Sequence, residues 1–247
     1  MNEYILEACV DSVESAMAAK RGGADRLELC ANLIIGGTTP SLTLYRRIRE
    51  VVDIPIHVLI RPRFGDFLYT EEEYEIMLRE IKAFVEEGAN AVVIGSLNDD
   101  GSINVEQMKG MMDAAGGKKV TLHRAFDVCR DPWEALEVAK KLGIHTILTS
   151  GQEASCYDGR KLLGELQKQA NGTIEIMAGG GVCKEVIETL RQMTDIHCFH
   201  MSGKETLESG MKYRNPKVNM GLPGISEFEV WRTNEEAIQR AVQALKK

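Results

Sequence analysis

Apolar residues along this chain gather in short runs, each bracketed by longer polar stretches whose own apolar positions recur at helical spacing. The runs fall near 4–9, 25–30, 56–61, 91–96, 119–124, 145–149, 174–178 and 197–201, and the gaps between them have room for crossover helices. Three segments, "RGGADRLELC", "EEGANAVVIGS" and "KKLGIHTILTSG", repeat one plan: a helix end, a glycine near its C-cap, one or two polar residues, then a strand rich in Leu, Val or Ile. Helix entries carry a matching signal. Asp11 with Glu14, Thr70 with Glu73, Asp131 with Pro132 and Glu134, and Thr233 with Glu236 each put a capping side chain ahead of an acid in the first turn. Eight strands alternating with capped helices over 247 residues predict an α/β fold, a (β/α)8 TIM barrel, with a doubly wound open sheet as the competing arrangement. No Pro/Ser-rich linker divides the chain, so residues 1–247 read as a single domain. The segment 202–232 reads as a long loop after the eighth strand, and loops of that length are usually functional or lie at an interface.

Composition narrows the function. With 44% hydrophobic and 27% charged residues the chain can bury a substantial core. A formal charge of -7 argues against a nucleic-acid partner, because neutralising phosphates needs a basic face. The N-terminus lacks a basic stretch followed by an apolar one, and no window approaches the ~20 apolar residues of a membrane span, so the chain reads as cytoplasmic with no membrane partner. The six cysteines are then expected to be mostly reduced. None forms a CxxC pair, which excludes zinc-ribbon and thioredoxin chemistry.

Strand parity sorts the chemistry. Glu7 and Cys9 share a face of the first strand, and Glu28 and Cys30 share a face of the second; both strands end Leu-Glu-Xaa-Cys. Adjacent parallel strands lie about 4.8 Å apart, so the two thiols can be neighbours, although small buried core positions explain single cysteines equally well. Carboxylates inside a barrel need partners, so Glu7 and Glu28 imply inward cations. Arg61 and Arg63, at the C-terminal end of the third strand, share parity with His57; one can pair with Glu28, and together they resemble an anion clamp.

In this fold the C-terminal strand ends form the active face. The fifth strand ends "VTLHRAFD", bringing His123, Arg124 and Asp127 there; His123 is a candidate general base oriented by Asp127 or Glu175, with Glu28 a further proton carrier. His200, Ser202 and Gly203 close the eighth strand, and "MAGGGVCKE" places Gly179 and Gly180 where barrels often bind phosphate, although a tight strand-to-helix turn explains the glycines as well.

The segments "EACVDSVESAMAAKRGGADRLELC", "GGTTPS", "IRPRFGDFLYT", "LHRAFD", "LTSG", "AGGGV" and "SGMKYRN" resemble, in order and over nearly the whole chain, the CutC family of copper homeostasis proteins. The resemblance implies a cytoplasmic TIM barrel, often a homodimer or higher homo-oligomer, with a role in copper handling and no defined reaction. Copper in a reducing cytosol is Cu(I), which prefers soft sulfur ligands, and Cys9 and Cys30 meet that preference. Met177, His123 and His200 are further possible ligands. Against thiolate formation, Glu7 and Glu28 would raise a neighbouring thiol's pKa unless Arg61 offsets them. Cys129, Cys156, Cys183 and Cys198 show no partner in sequence and read as ordinary cysteines. Two functions therefore compete. One is a copper-binding homeostasis protein holding Cu(I) between Cys9 and Cys30. The other is an enzyme binding a small anionic metabolite through Arg61, Arg63, Arg124 and the glycine turns, with His123, Asp127 or Glu28 moving protons.

Overall fold

The structure is a computed structural model that describes residues 4–215, 217–218, 220–221 and 224–246. Eight parallel strands close on themselves in chain order: β1 (Ile5–Val10), β2 (Arg26–Leu29), β3 (Ile56–Leu59), β4 (Ala91–Ile94), β5 (Lys119–Leu122), β6 (Thr146–Thr149), β7 (Glu175–Ala178) and β8 (Cys198–Met201). The closure of β8 onto β1 excludes the open-sheet alternative. Helices α1 (Val13–Gly22), α2 (Leu42–Arg49), α3 (Glu71–Glu86), α4 (Val105–Ala114), α5 (Pro132–Leu142), α6 (Arg160–Ala170) and α7 (Lys184–Met193) are the crossovers. Among the described residues no helix is long and apolar enough to cross a membrane.

The repeated helix-glycine-strand plan has a backbone cause. Gly23, Gly88 and Gly143 adopt φ of 92°, 89° and 76°, left-handed values that let the chain leave a helix and turn straight into the next strand. Two of the expected helix entries form as drawn. Thr70 and Glu73 exchange hydrogen bonds in a full capping box, and Asp131 accepts from the amides of Trp133 and Glu134 with Pro132 behind it. The other two shift by one residue. Ser12, not Asp11, caps α1, and Asn234, not Thr233, accepts from the Ala237 amide at the start of α8 (Glu235–Lys246). Asp11 instead accepts from the Leu33 amide, and Thr233 donates its hydroxyl to the Ser202 carbonyl.

The segment expected as a long loop is partly a sheet: β9 (Lys204–Glu208) pairs antiparallel with β10 (Glu229–Thr233). β9 lies largely exposed and β10 is half-buried, and neither carries an apolar run to mark it.

The main core lies outside the barrel wall, under the helices. Outward residues such as Leu6, Leu27, Ile56, Val92, Val120, Ile147, Ile176 and Phe199 pack there with Tyr45, Phe84 and Phe126, all at 1–2% exposure or less. Each such side chain contributes about 1.5–3 kcal/mol by leaving water. The inward positions differ in kind. Where barrels usually stack branched apolar residues, this one encloses Glu7, Arg26, Glu28, His57, Thr121 and His123, all buried apart from a partial exposure of Arg26. The apolar burial therefore lies mostly in the outer layer, and the interior combines two small apolar clusters with these polar and charged groups.

Candidate functional site

The strand register brings the inward charges together. Glu7 stands level with Arg26 on one side and His200 on the other, and Glu28 level with Cys9 and His57. Glu7 is fully buried; its Oε2 accepts from Arg26 Nε at 2.5 Å, its Oε1 lies 2.9 Å from His200 Nδ1, and His57 Nδ1 sits 3.2 Å from Oε2 but out of line for a hydrogen bond. Burial alone would raise the Glu7 carboxyl, but the Arg26 charge and the two imidazoles hold it well below the usual carboxylate range. The partners required by the inward carboxylates are thus the Arg26 guanidinium and the imidazoles of His57 and His200. Arg61 does not pair with Glu28 as expected. Arg26 went unnoticed in the sequence, although its parity with Glu28 and Cys30 marks it as inward. Its Nη2 also donates to the sulfurs of Met177 and Cys198 at 3.3 and 3.4 Å, so Met177 lies in a separate layer with Leu148 and is no partner for Cys9 and Cys30.

Above this layer, towards the C-terminal strand ends, Cys9 and Cys30 meet with their sulfurs 3.8 Å apart, packed with Leu59 and Val93. Cys9 Sγ also donates to Glu28 Oε1 at 3.3 Å, while Glu28 Oε2 has no partner. Cys30 donates to the Val10 carbonyl at 3.6 Å. The hydrogen bond with Cys30, burial and the Glu28 charge together push the Cys9 thiol well up. Burial likewise raises Glu28. For His200, burial pulls the pKa down, but Glu28 and Glu7 outweigh it and raise it. Because Glu7 occupies His200 Nδ1, Nε2 is the ring nitrogen left for a ligand, the arrangement in which a carboxylate orients a metal-binding histidine. Ligand atoms of Cys9, Glu28 and His200 all lie within 4.8 Å of one another.

These residues form one wall of a cavity of about 610 Å³ at the barrel mouth, which Arg61, Phe67, His123, Arg124, Gly180, Ser202 and Gly203 also line. Several sequence candidates lie elsewhere. Arg63 ion-pairs with Asp66 at 2.9 Å and Glu73 at 2.6 Å, so it braces its own loop and is no part of an anion clamp. Asp127 accepts from Thr149 Oγ1, from the amides of Ser150 and Gln152, and from Arg124 Nε. It therefore neither orients His123 nor faces the cavity. Glu175 lies 3.2 Å from His197, at the opposite end of the barrel, and cannot orient His123 either. Gly179 donates its amide to the Thr149 carbonyl, and Leu148 fills the space a side chain would take; the cavity wall begins with Gly180 and Gly181.

The CutC family model matches residues 4–205. A CutC family protein of Bacteroides fragilis is 46% identical, covering 99% of this chain and 98% of that one. The human copper homeostasis protein cutC homolog is 42% identical, covering 100% of this chain and 90% of that one. A CutC crystal structure from Streptococcus agalactiae superposes with a TM-score of 0.77 at 31% identity, covering 81% of this chain and 98% of that one.

Proposed function

The chain belongs to the CutC family, and from that premise we propose that it serves copper homeostasis by holding Cu(I) at the mouth of the barrel between Cys9 and Cys30. One observation carries the reading: two buried, unoxidised sulfurs 3.8 Å apart, with an imidazole on the same wall whose far nitrogen is held by Glu7. Soft sulfur donors select Cu(I) over the oxygen-seeking cations. Cys9 and Cys30, with their sulfurs 3.8 Å apart, would hold the ion as paired sulfur donors. His200, whose Nδ1 faces Glu7, would offer Nε2 as the neighbouring nitrogen donor when that atom is unprotonated. A reducing cytoplasm, in which copper is Cu(I) and thiols stay free, is the compartment that matches this donor set and the six free cysteines.

The test is a Cu(I) titration of the reduced protein against a competing chelator, repeated on Cys9→Ser/Cys30→Ser. The expected result is one ion bound competitively by the native protein and not by the double variant. Equal binding by both would remove the thiol pair from the copper site.

A further inference from the structure

Two buried nitrogen atoms at the barrel mouth, Arg61 Nε and His123 Nε2, make no hydrogen bond, and the Tyr69 hydroxyl lies beside the Arg61 guanidinium. Arg61 is 8% exposed; its Nη atoms donate to the carbonyls of Gly37 at 3.0 Å and Gly65 at 2.7 Å, and Nε has no partner. Nη1 also approaches the Gly36 carbonyl at 3.4 Å, and the Asp66 carboxylate, itself paired with Arg63, is the acid whose charge Arg61 feels. His123 is 4% exposed, and its Nδ1 accepts from the Ala125 amide at 3.2 Å. Burial, reinforced by the Arg61 charge, brings its pKa down to about 3, so the ring is neutral. A neutral ring that accepts at Nδ1 carries its proton on Nε2, and that N–H is unpartnered.

Both groups are held in place. The Phe67 ring lies 4.8 Å from the His123 ring and 4.9 Å from the Arg61 guanidinium carbon. Gly95 leaves the space the imidazole occupies, since a Cβ there would stand 2.6 Å from His123 Cε1 and Nδ1. Buried donors without acceptors are costly, and a buried guanidinium with no carboxylate in contact more so. A ligand oxygen that accepted from them would offset that cost.

The same cavity has a second wall of hydrogen-bond donors, where Arg124 lines the cavity as Arg63 does not, although it too is ion-paired, with Asp127 at 2.6 Å. Gly180 and Gly181, at φ of 91° and 78°, lead into α7, whose N-cap Cys183 makes no side-chain capping bond. A Cβ on Gly180 would stand 3.6 Å from the Arg124 guanidinium carbon, so that charge lies directly over the turn. Arg124 Nε and Nη2 are engaged by Asp127 and Ser150, which hold the guanidinium there. Open amides at a helix start beside a guanidinium suit an oxygen-rich anion.

We propose that this cavity binds a small phosphorylated metabolite, its phosphate on the Gly180–Gly181 turn beside Arg124 and a carboxylate or carbonyl oxygen at its other end on Arg61 and His123. A volume of about 610 Å³ accommodates such a ligand, and Leu33, Leu59 and Leu148 supply apolar wall between the two poles. None of the residues in this assignment is a thiol, so it stands or falls apart from copper.

The probe is 2-phosphoglycolate, which carries a phosphate at one end and a carboxylate at the other, titrated calorimetrically into metal-free protein in phosphate-free buffer alongside inorganic phosphate. Phosphoglycolate is expected to bind more tightly than phosphate. Arg61→Met is expected to weaken phosphoglycolate by about tenfold or more while leaving phosphate little changed, and Arg124→Met to weaken both. Because Arg61 also ties two loops, His123→Leu and His123→Gln serve as the second pair, judged on samples whose melting temperature shows them folded: loss with Leu and partial recovery with Gln, which restores an N–H donor, supports the assignment. Failure of both probes to bind at millimolar concentration, or equal binding of phosphoglycolate by the native protein, Arg61→Met and Arg124→Met, overturns it.

Discussion

Replacing Arg26 by Met tests whether the barrel interior is held as an ionic assembly. Glu7 is wholly buried and charged, and Arg26 is its nearest cation at 2.5 Å. Removing one partner of a buried pair and stranding the other costs about 3–5 kcal/mol. His200 and His57 still face Glu7, which favours the lower part of that range. Unfolding entropy of about 2.1 cal/mol/K per residue over 247 residues gives about 0.5 kcal/mol/K, so a loss of about 3 kcal/mol lowers Tm by about 6 °C at pH 7. The pH dependence separates this from simple loss of packing. In the native protein the Glu7 pKa is depressed, so its stabilisation is present above the ordinary carboxylate value near 4.5 and fades as pH falls through the lower folded value. Without Arg26 the folded pKa rises, and protonation at mildly acid pH relieves the stranded charge. The gap in Tm between the two proteins, followed by circular dichroism from pH 7 down to pH 4.5, is therefore expected to narrow. A gap under about 2 °C at pH 7, or one that widens on acidification, would refute the claim that Arg26 neutralises a buried Glu7 charge.

The copper reading has a pH consequence. The Cys9 thiol is pushed up and protonated at neutral pH, and a metal takes the thiolate, so Cu(I) affinity is expected to rise with pH by up to about tenfold per unit for each proton displaced; a flat profile, after correction for the competitor's own titration, would show that no thiol proton leaves. Gly37→Ala probes the same place sterically. Gly37 has φ of 86°, and a Cβ there would stand 2.8 Å from Leu59 Cδ2 and 3.3 Å from Cys30 Cβ, so the variant is expected to lose about 1–3 kcal/mol in denaturant unfolding and to bind Cu(I) more weakly; unchanged copper affinity would place the ion away from Cys30. Thr70→Ala breaks the capping box of α3 and is expected to cost about 1 kcal/mol in the same assay without altering copper or anion binding.

The barrel was legible in the sequence because its signals are local. A strand's apolar run, a glycine at left-handed φ and a capping side chain each act within a few residues, and eight repetitions leave few ways to close a sheet. The inward parity of Glu7, Cys9, Glu28 and Cys30 followed from the strand period of two in the same way. The limits of local reading appear one residue apart at Asp11 and Thr233, where neighbouring Ser12 and Asn234 do the capping. They appear again in β9 and β10, which have no apolar run to betray them.

Which charges meet was decided only by the tertiary structure. Register between strands sets Arg26 and His200 against Glu7, and no spacing along the chain encodes register. Arg61 and Arg63 are two residues apart and looked equivalent, yet one is buried at the barrel mouth with no carboxylate in contact and the other is neutralised by Asp66 and Glu73. His123 and Asp127 look like a catalytic pair in sequence, but the 3₁₀ turn Arg124–Val128 carries the aspartate away onto Thr149 and Ser150. The sequence by itself determined the fold, the inward faces and the pairing of two thiols as a possibility. Their approach to 3.8 Å, the histidine beside them and the unpaired donors across the cavity depend on strand stagger and loop paths, which arise only when the barrel closes.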